Sequence, residues 1–287
     1  MTKHETDEET GIDTTGHEWD GIKELNNPLP RWWLWCLYLT IIWGVGYMIA
    51  YPAWPMISGA TKGVLGYSTR GEVAAEIDRF EAQNADLRAS LTEIDLGVLK
   101  DNPDLQRFAY ANGAAVFRTN CSQCHGSGAA GALGYPNLLD DDWLWGGAIQ
   151  DIALSIDHGI RNETDADAHW SQMPAYGEVL SSDEIDNAVQ YVMQLAGSDF
   201  DVEMANAGAV IFDEQCSACH GADGKGDRDV GAPNLTDAIW LYGSDIAAVT
   251  ETVTNARFGV MPAWGQRLTR SDINAVAAYV HGLGGGE

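Results

Sequence analysis

Positive charge is what this chain has least of. It carries 16 lysines and arginines against 42 aspartates and glutamates, a formal net charge of −26. A protein that grips nucleic acid regardless of sequence needs basic side chains to neutralise phosphates, so that class is excluded. Cysteine is sparse, and the five present are an odd number, which argues against a simple disulfide framework. Long apolar runs are reduced to one, from Trp32 to Tyr51. A wholly disordered chain is excluded in turn, because 45% hydrophobic content and 11 tryptophans can build cores. At 287 residues the chain has room for two domains of roughly 150 residues each.

Residues 1–31 hold eight acidic and three basic side chains and no apolar face, and read as a solvated tail. Residues 32–51 have no charge. As a helix rising about 1.5 Å per residue they span roughly 30 Å, the thickness of a bilayer core. Trp32, Trp33 and Trp35 mark one end; Tyr47, Tyr51 and Trp54 mark the other, as interfacial aromatics do. Pro52 and Pro55 stop the helix. A cleaved signal peptide does not fit, since its leading region would be long and acidic and no small-x-small site follows. Cys36 within the span is a small apolar residue. Flanking charges leave the orientation tied, with Lys23 and Arg31 on one side and Lys62 and Arg70 on the other. Residues 52–110 read as a connector with a helix from Gly71, capped by Ser68 or Thr69. Its stripe is Val73, Ile77, Phe80, Leu87 and Leu91. Asn102-Pro103-Asp104 breaks the chain before the next unit.

From Ala111 the chain repeats itself. GAAVFRTNCSQCHG at 113–126 matches GAVIFDEQCSACHG at 208–221, and Pro136-Asn137-Leu138 matches Pro233-Asn234-Leu235. Trp143-Leu144-Trp145-Gly146 matches Trp240-Leu241-Tyr242-Gly243, and Met173-Pro174-Ala175-Tyr176-Gly177 matches Met261-Pro262-Ala263-Trp264-Gly265. Each copy ends in an amphipathic helix, one carrying Ile185, Ala188, Val189, Val192 and Leu195, the other Ile273, Val276, Ala277, Val280 and Leu283. The first copy has nine extra residues within the polar stretch Arg161 to His169. Two tandem domains follow, 111–198 and 205–287, in a mainly α chain.

Cys121-Ser-Gln-Cys124-His125 and Cys216-Ser-Ala-Cys219-His220 fit covalent c-type haem attachment. Two thiols three positions apart at a helix start each add to one vinyl group, and the adjacent histidine faces the iron. A shared zinc site would need its four ligands together, yet the cysteine pairs lie 95 residues apart in separate copies. The sixth ligand is read as Met173 for one iron and Met261 for the other, 48 and 41 residues beyond His125 and His220. The proline after each methionine fixes an extended loop. A thioether favours the ferrous state and a high potential. Ligation within each copy is the default expectation; a crossed arrangement is sterically conceivable. His158 or His169 is the alternative to Met173, and one of them, or Arg161, is a candidate contact for a haem propionate. The carbonyls of Pro136 and Pro233 are expected to accept from the proximal histidines. Tyr191 and Tyr279 are expected to pack against the helices of Gly113 and Gly208.

Each copy resembles a class I cytochrome c domain in its order of opening helix, C-x-x-C-H, Pro-x-Leu, Met-Pro and closing helix. Asn27-Pro-Leu-Pro-Arg-Trp-Trp-Leu-Trp35, an anchor ending Tyr51-Pro-Ala-Trp-Pro55, and two such domains together resemble the dihaem c-type cytochrome subunit (subunit III) of cbb3-type cytochrome c oxidases. His158-Gly-Ile-Arg161 ahead of Gln172-Met-Pro-Ala-Tyr-Gly177 is similar to that family's first haem domain. The resemblance covers roughly residues 25–285. It implies two covalently bound haems c and an electron-transfer role in a proton-pumping oxidase, with no oxygen-reducing centre on this chain. It also implies partners: a haem–copper catalytic subunit, a monohaem cytochrome c subunit, and a soluble or membrane-bound cytochrome c donor. It places the haem domains in the periplasm of a bacterial inner membrane and the acidic tail inside. Residues 111–287 hold 25 acidic and 7 basic side chains, a field that attracts a basic donor. A membrane-anchored dihaem carrier serving another respiratory complex would share every haem residue. A dihaem peroxidase would need an openable distal position, against which both Met-Pro loops argue. A gas sensor would need an output domain.

Overall fold

The structure, a computed structural model, describes residues 5–287. Residues 1–4 of the expected tail, His4 among them, lie outside the described residues. The described residues fall into two units, 5–83 and 84–287.

In the first unit the expected solvated tail is instead a hairpin. Strands β1 (Thr14–Trp19) and β2 (Ile22–Leu25) pair antiparallel. Asp20 and Gly21 both take positive φ at the turn, 49° and 83°. Such turns match the twist of the strands they join, which is why Asp-Gly between short strands forms a hairpin. Helix α1 (Arg31–Ala50) follows Pro30 and ends where Tyr51 turns extended ahead of Pro52. None of its residues is buried, and it is long and apolar enough to cross a membrane. A two-residue ladder, β3 (Pro55–Met56) and β4 (Gly59–Ala60), closes the chain after it. Helix α2 (Thr69–Glu93) begins beside Ser68, whose hydroxyl accepts from the Gly71 N–H at 3.3 Å. The expected stripe on α2 divides: Val73, Ile77 and Phe80 are exposed, whereas Leu91 is fully buried in the second unit.

The second unit therefore starts within the expected connector. After a 3-10 turn at Leu96–Asp101, helix α3 (Pro103–Val116) is capped by Asn102 and begins on proline, whose missing N–H costs a helix nothing there. A π-turn at Phe117–Cys121 leads into α4 (Ser122–His125). Helices α5 (Ile149–His158), α6 (Ser182–Leu195), α7 (Val202–Gln215), α8 (Ser217–His220), α9 (Ile246–Asn255) and α10 (Arg270–His281) complete it. Ser181 and Glu184 form a capping box on α6, and Asp201, Asp245 and Thr269 cap α7, α9 and α10.

The two copies are interleaved. Helix α3, which opens the first copy, packs on α10, which closes the second; α6, which closes the first, packs on α7, which opens the second. One core gathers Phe117, Ile152, Ile156, Ile273, Val276 and Val280. The other gathers Tyr176, Ile185, Val189, Val192, Phe212, Val249 and Val253. The crossing points are equivalent glycines. A Cβ on Gly113 would sit 2.1 Å from the Ala275 carbonyl oxygen, and one on Gly208 1.9 Å from that of Asn187. Tyr279 leans on Phe117 with ring centroids 5.5 Å apart, and Tyr191 on Phe212 at 5.1 Å. The two tyrosines pack against the Gly113 and Gly208 helices as expected, each on the helix of the other copy. The end of α2 is pinned to the first core: Arg88 pairs with Asp272 at 3.0 Å, and buried Asn274 donates to the Leu91 carbonyl at 2.7 Å.

Candidate functional site

Each attachment motif sits where one helix has ended and a single further turn remains. Gly126 and Gly221, at φ 79° and 74°, terminate those turns and carry the chain away from His125 and His220. The His125 Nδ1–H donates to the Pro136 carbonyl at 3.2 Å, and the His220 Nδ1–H to that of Pro233 at 3.1 Å. This fixes the tautomer and leaves each Nε2 lone pair free for a metal. Burial lowers both histidines' pKa, which keeps the rings neutral, against the weaker effect of those backbone bonds. Burial also pushes the Cys121 and Cys216 thiols up to about 11. Redox dithiols need the opposite, a cation or helix terminus that holds the thiolate.

A cavity of about 540 Å³ opens beside the second motif. Cys216, Cys219 and His220 line it, and so do Met173, Tyr176 and Arg161 from the first copy. Met173 packs at the edge of the core that contains Phe212 and takes Cys216 at its margin. Met261 packs at the edge of the other core, with Phe117, Cys121 and Trp264. The structure thus groups each methionine with the motif of the other copy, Met173 with Cys216 and Met261 with Cys121. Backbone pairing holds the arrangement. Met261 exchanges both hydrogen bonds with Ile160, at 3.0 and 2.9 Å, just after α5. Gly159 allows this approach, since a Cβ there would lie 2.4 Å from the Met261 carbonyl oxygen. Gly177, beyond Met173, backs in the same way onto Thr254 of α9.

His158 and His169, the alternative ligands, lie elsewhere. His158 Nδ1 faces Asp165 at 3.2 Å within the nine-residue insertion. His169 stacks on Trp145, with centroids 4.5 Å apart and planes 16° from parallel. In the second copy, Arg257 lies over Tyr242, the counterpart of Trp145, at 4.8 Å. Trp145 Nε1 and His169 Nε2 are buried with no hydrogen-bond partner among the described residues. Buried polar atoms without partners are uncommon and costly, and a haem propionate beside them would satisfy both. A neutral imidazole with a free Nε2, two protonated thiols, a thioether at the margin of the same core and an apolar cavity fit haem c.

Asp142 lines the same cavity and is pushed up to about 6, by burial first and then by Asp237 and Asp140. Its folded pKa exceeds the ordinary 3.8, so folding favours the protonated acid. The stability it contributes is present below about pH 4 and is lost as the pH rises through about 6. Asp142→Asn should therefore stabilise the protein at pH 7 and not at pH 4. About 1 kcal/mol is expected once partial solvent screening is allowed for. Guanidinium unfolding at the two pH values measures it, and an equal gain at both would contradict the assignment.

Residues 11–58 match the family described as the N-terminal domain of cytochrome oxidase-cbb3, FixP. Residues 108–192 and 203–280 each match the family described as cytochrome c oxidase, cbb3-type, subunit III. Among curated proteins, the cbb3-type cytochrome c oxidase subunit CcoP of Cereibacter sphaeroides is 60% identical over 276 residues, covering 96% of this chain and 95% of that protein. The subunit FixP of Bradyrhizobium diazoefficiens is 53% identical over 294 residues, with both chains covered fully. That of Sinorhizobium medicae is 51% identical, covering 99% of this chain and 98% of that one.

Proposed function

The chain belongs to the subunit III family of cbb3-type cytochrome c oxidases, and from that premise we propose how its residues carry electrons. It is an electron-transfer subunit of a cbb3-type oxidase and a haem c protein. Our reading is that two haems are attached, one at Cys121 and Cys124 and one at Cys216 and Cys219. His125 and Met261 would be the axial ligands of the first, His220 and Met173 those of the second. The observation that carries it is the crossed packing, which sets Met173 on the cavity wall with Cys216, Cys219 and His220. When bound, the haem supplies a one-electron couple. The chain's own residues set its properties. The Pro136 and Pro233 carbonyls, accepting from His125 and His220, raise ligand basicity. The methionine sulfur raises the potential. The apolar cores around Phe117 and Phe212 would give a bound haem low-polarity walls.

We read α1 as a single membrane span with the haem domains outside the cytoplasm. In this reading electrons arrive from a donor cytochrome c and leave toward the haem–copper subunit, beside a monohaem cytochrome c subunit. The acidic haem domains favour a basic donor. The test has two parts. Denatured protein should retain two haems per chain, and Cys121→Ala with Cys124→Ala should leave one; retention of both would sink the attachment sites. Purification from native membranes should bring down a haem–copper subunit, and recovery with a different complex would move the chain to the alternative carrier role.

A further inference from the structure

The nine-residue insertion gives the first copy an arginine with no counterpart in the second. Arg161 is half-buried and takes a positive φ of 50°, a conformation that non-glycine residues adopt only where the surroundings enforce it. Its Nε–H donates to the Gly259 carbonyl at 2.7 Å, and its Nη1–H to the Ser171 carbonyl at 3.0 Å. Ser171 stands two residues before Met173, and Gly259 two residues before Met261. One planar guanidinium therefore ties together the two methionine loops at matched positions. The backbone around it does the same. The Arg161 N–H donates to His169 at 2.7 Å, and the preceding Ile160 pairs with Met261. No carboxylate lies within ion-pair distance of Arg161 among the described residues, although the side chain lines the cavity beside Met173. Its charge is committed to two carbonyls, groups that a rigid fork of donors can hold and a single ammonium cannot hold together.

We propose that Arg161 is a shared positioning residue for both haem sites, holding both methionines against their irons through one side chain. The proposal rests on Met173 and Met261 being the sixth ligands. It makes the two sites depend on each other: loosening one loop removes a hydrogen bond that fixes the orientation of the other's tie.

The experiment uses the full-length chain with its haems, in detergent. Ferric haem c shows a weak far-red absorption band only while methionine is bound, and each haem contributes half of it. Arg161→Ala should lower that band by more than one haem's share. Both reduced haems should gain carbon monoxide binding, and both redox components should shift to lower potential. Arg161→Lys keeps the charge but not the fork, and should show the same changes in part. If the alanine variant fails to retain its haems, the lysine variant decides. A change confined to one haem, no change, or full recovery by lysine would overturn the proposal. Met173→Ala and Met261→Ala run alongside. If they leave band and carbon monoxide binding unaltered, the ligand reading fails; if they alter both and Arg161→Ala does not, only the shared tie fails.

Discussion

Met261→Ala should open the iron at Cys121, Cys124 and His125, and leave the iron of its own copy closed. The test needs one haem at a time. In a chain lacking Cys216 and Cys219, only the first haem remains. There Met261→Ala should give a reduced haem that binds carbon monoxide and a potential lower by on the order of 100 mV, within the range of about 0.8 V that axial ligands span. Met173→Ala in that background should do neither. In the converse chain, lacking Cys121 and Cys124, the two substitutions should exchange roles. The expectation follows from packing: Met261 shares a core with Phe117 and Cys121, and Met173 shares one with Phe212 and Cys216. Carbon monoxide binding that follows the copy instead of the core would refute crossed ligation.

The second large effect lies at the helix crossings. Gly113→Ala would drive a methyl into the Ala275 carbonyl and the Tyr279 side chain, neither of which can swing away easily. Overpacking typically costs about 1–3 kcal/mol, and a collision with backbone at 2.1 Å belongs at or above the top of that range. Guanidinium unfolding measures it. A double-mutant cycle then tests the partner. Gly113→Ala should couple non-additively to Tyr279→Leu and add simply with Tyr191→Leu, because only Tyr279 touches the Gly113 crossing. Coupling to Tyr191 would place α3 on α6.

The attachment motifs were legible because their chemistry is local. Five consecutive residues carry two thiols and a ligand, and the proline carbonyls that orient His125 and His220 follow within a short loop. The apolar helix was legible for the same reason, and it begins one residue earlier than the charge-free run. The crossing was not legible from periodicity. Ile185, Val189 and Val192 present the same apolar stripe as Ile273, Val276 and Val280, and Gly113 offers the same notch as Gly208. Repetition specifies a face without naming its partner. One signal did point the right way: only residues 196–201 separate α6 from α7, and so short a connection between amphipathic helices favours an antiparallel pair. Asp20-Gly21 is a second such signal, a hairpin turn within the acidic N-terminal segment. Arg161 could be named from the sequence as a polar contact near haem, but its two acceptors are 88 residues apart, Ser171 and Gly259, and only the fold joins them.

Interleaving has a consequence for how the protein is made. The Gly113 crossing is closed by Ala275, 162 positions away, where closure within the copy by Asn187 would need 74. Loop entropy makes that choice inexpensive at equilibrium, about 0.7 kcal/mol for slightly more than a doubling. In time it is expensive. The core around Phe117 cannot close until α10 has emerged, so α3 and the Cys121 motif wait, unpaired, through the synthesis of everything between. An attachment apparatus that works on open chain has a long interval at the first motif and a brief one at the second. A nascent chain stopped after the first copy would hold an intact haem-binding sequence and have no core in which to bury it.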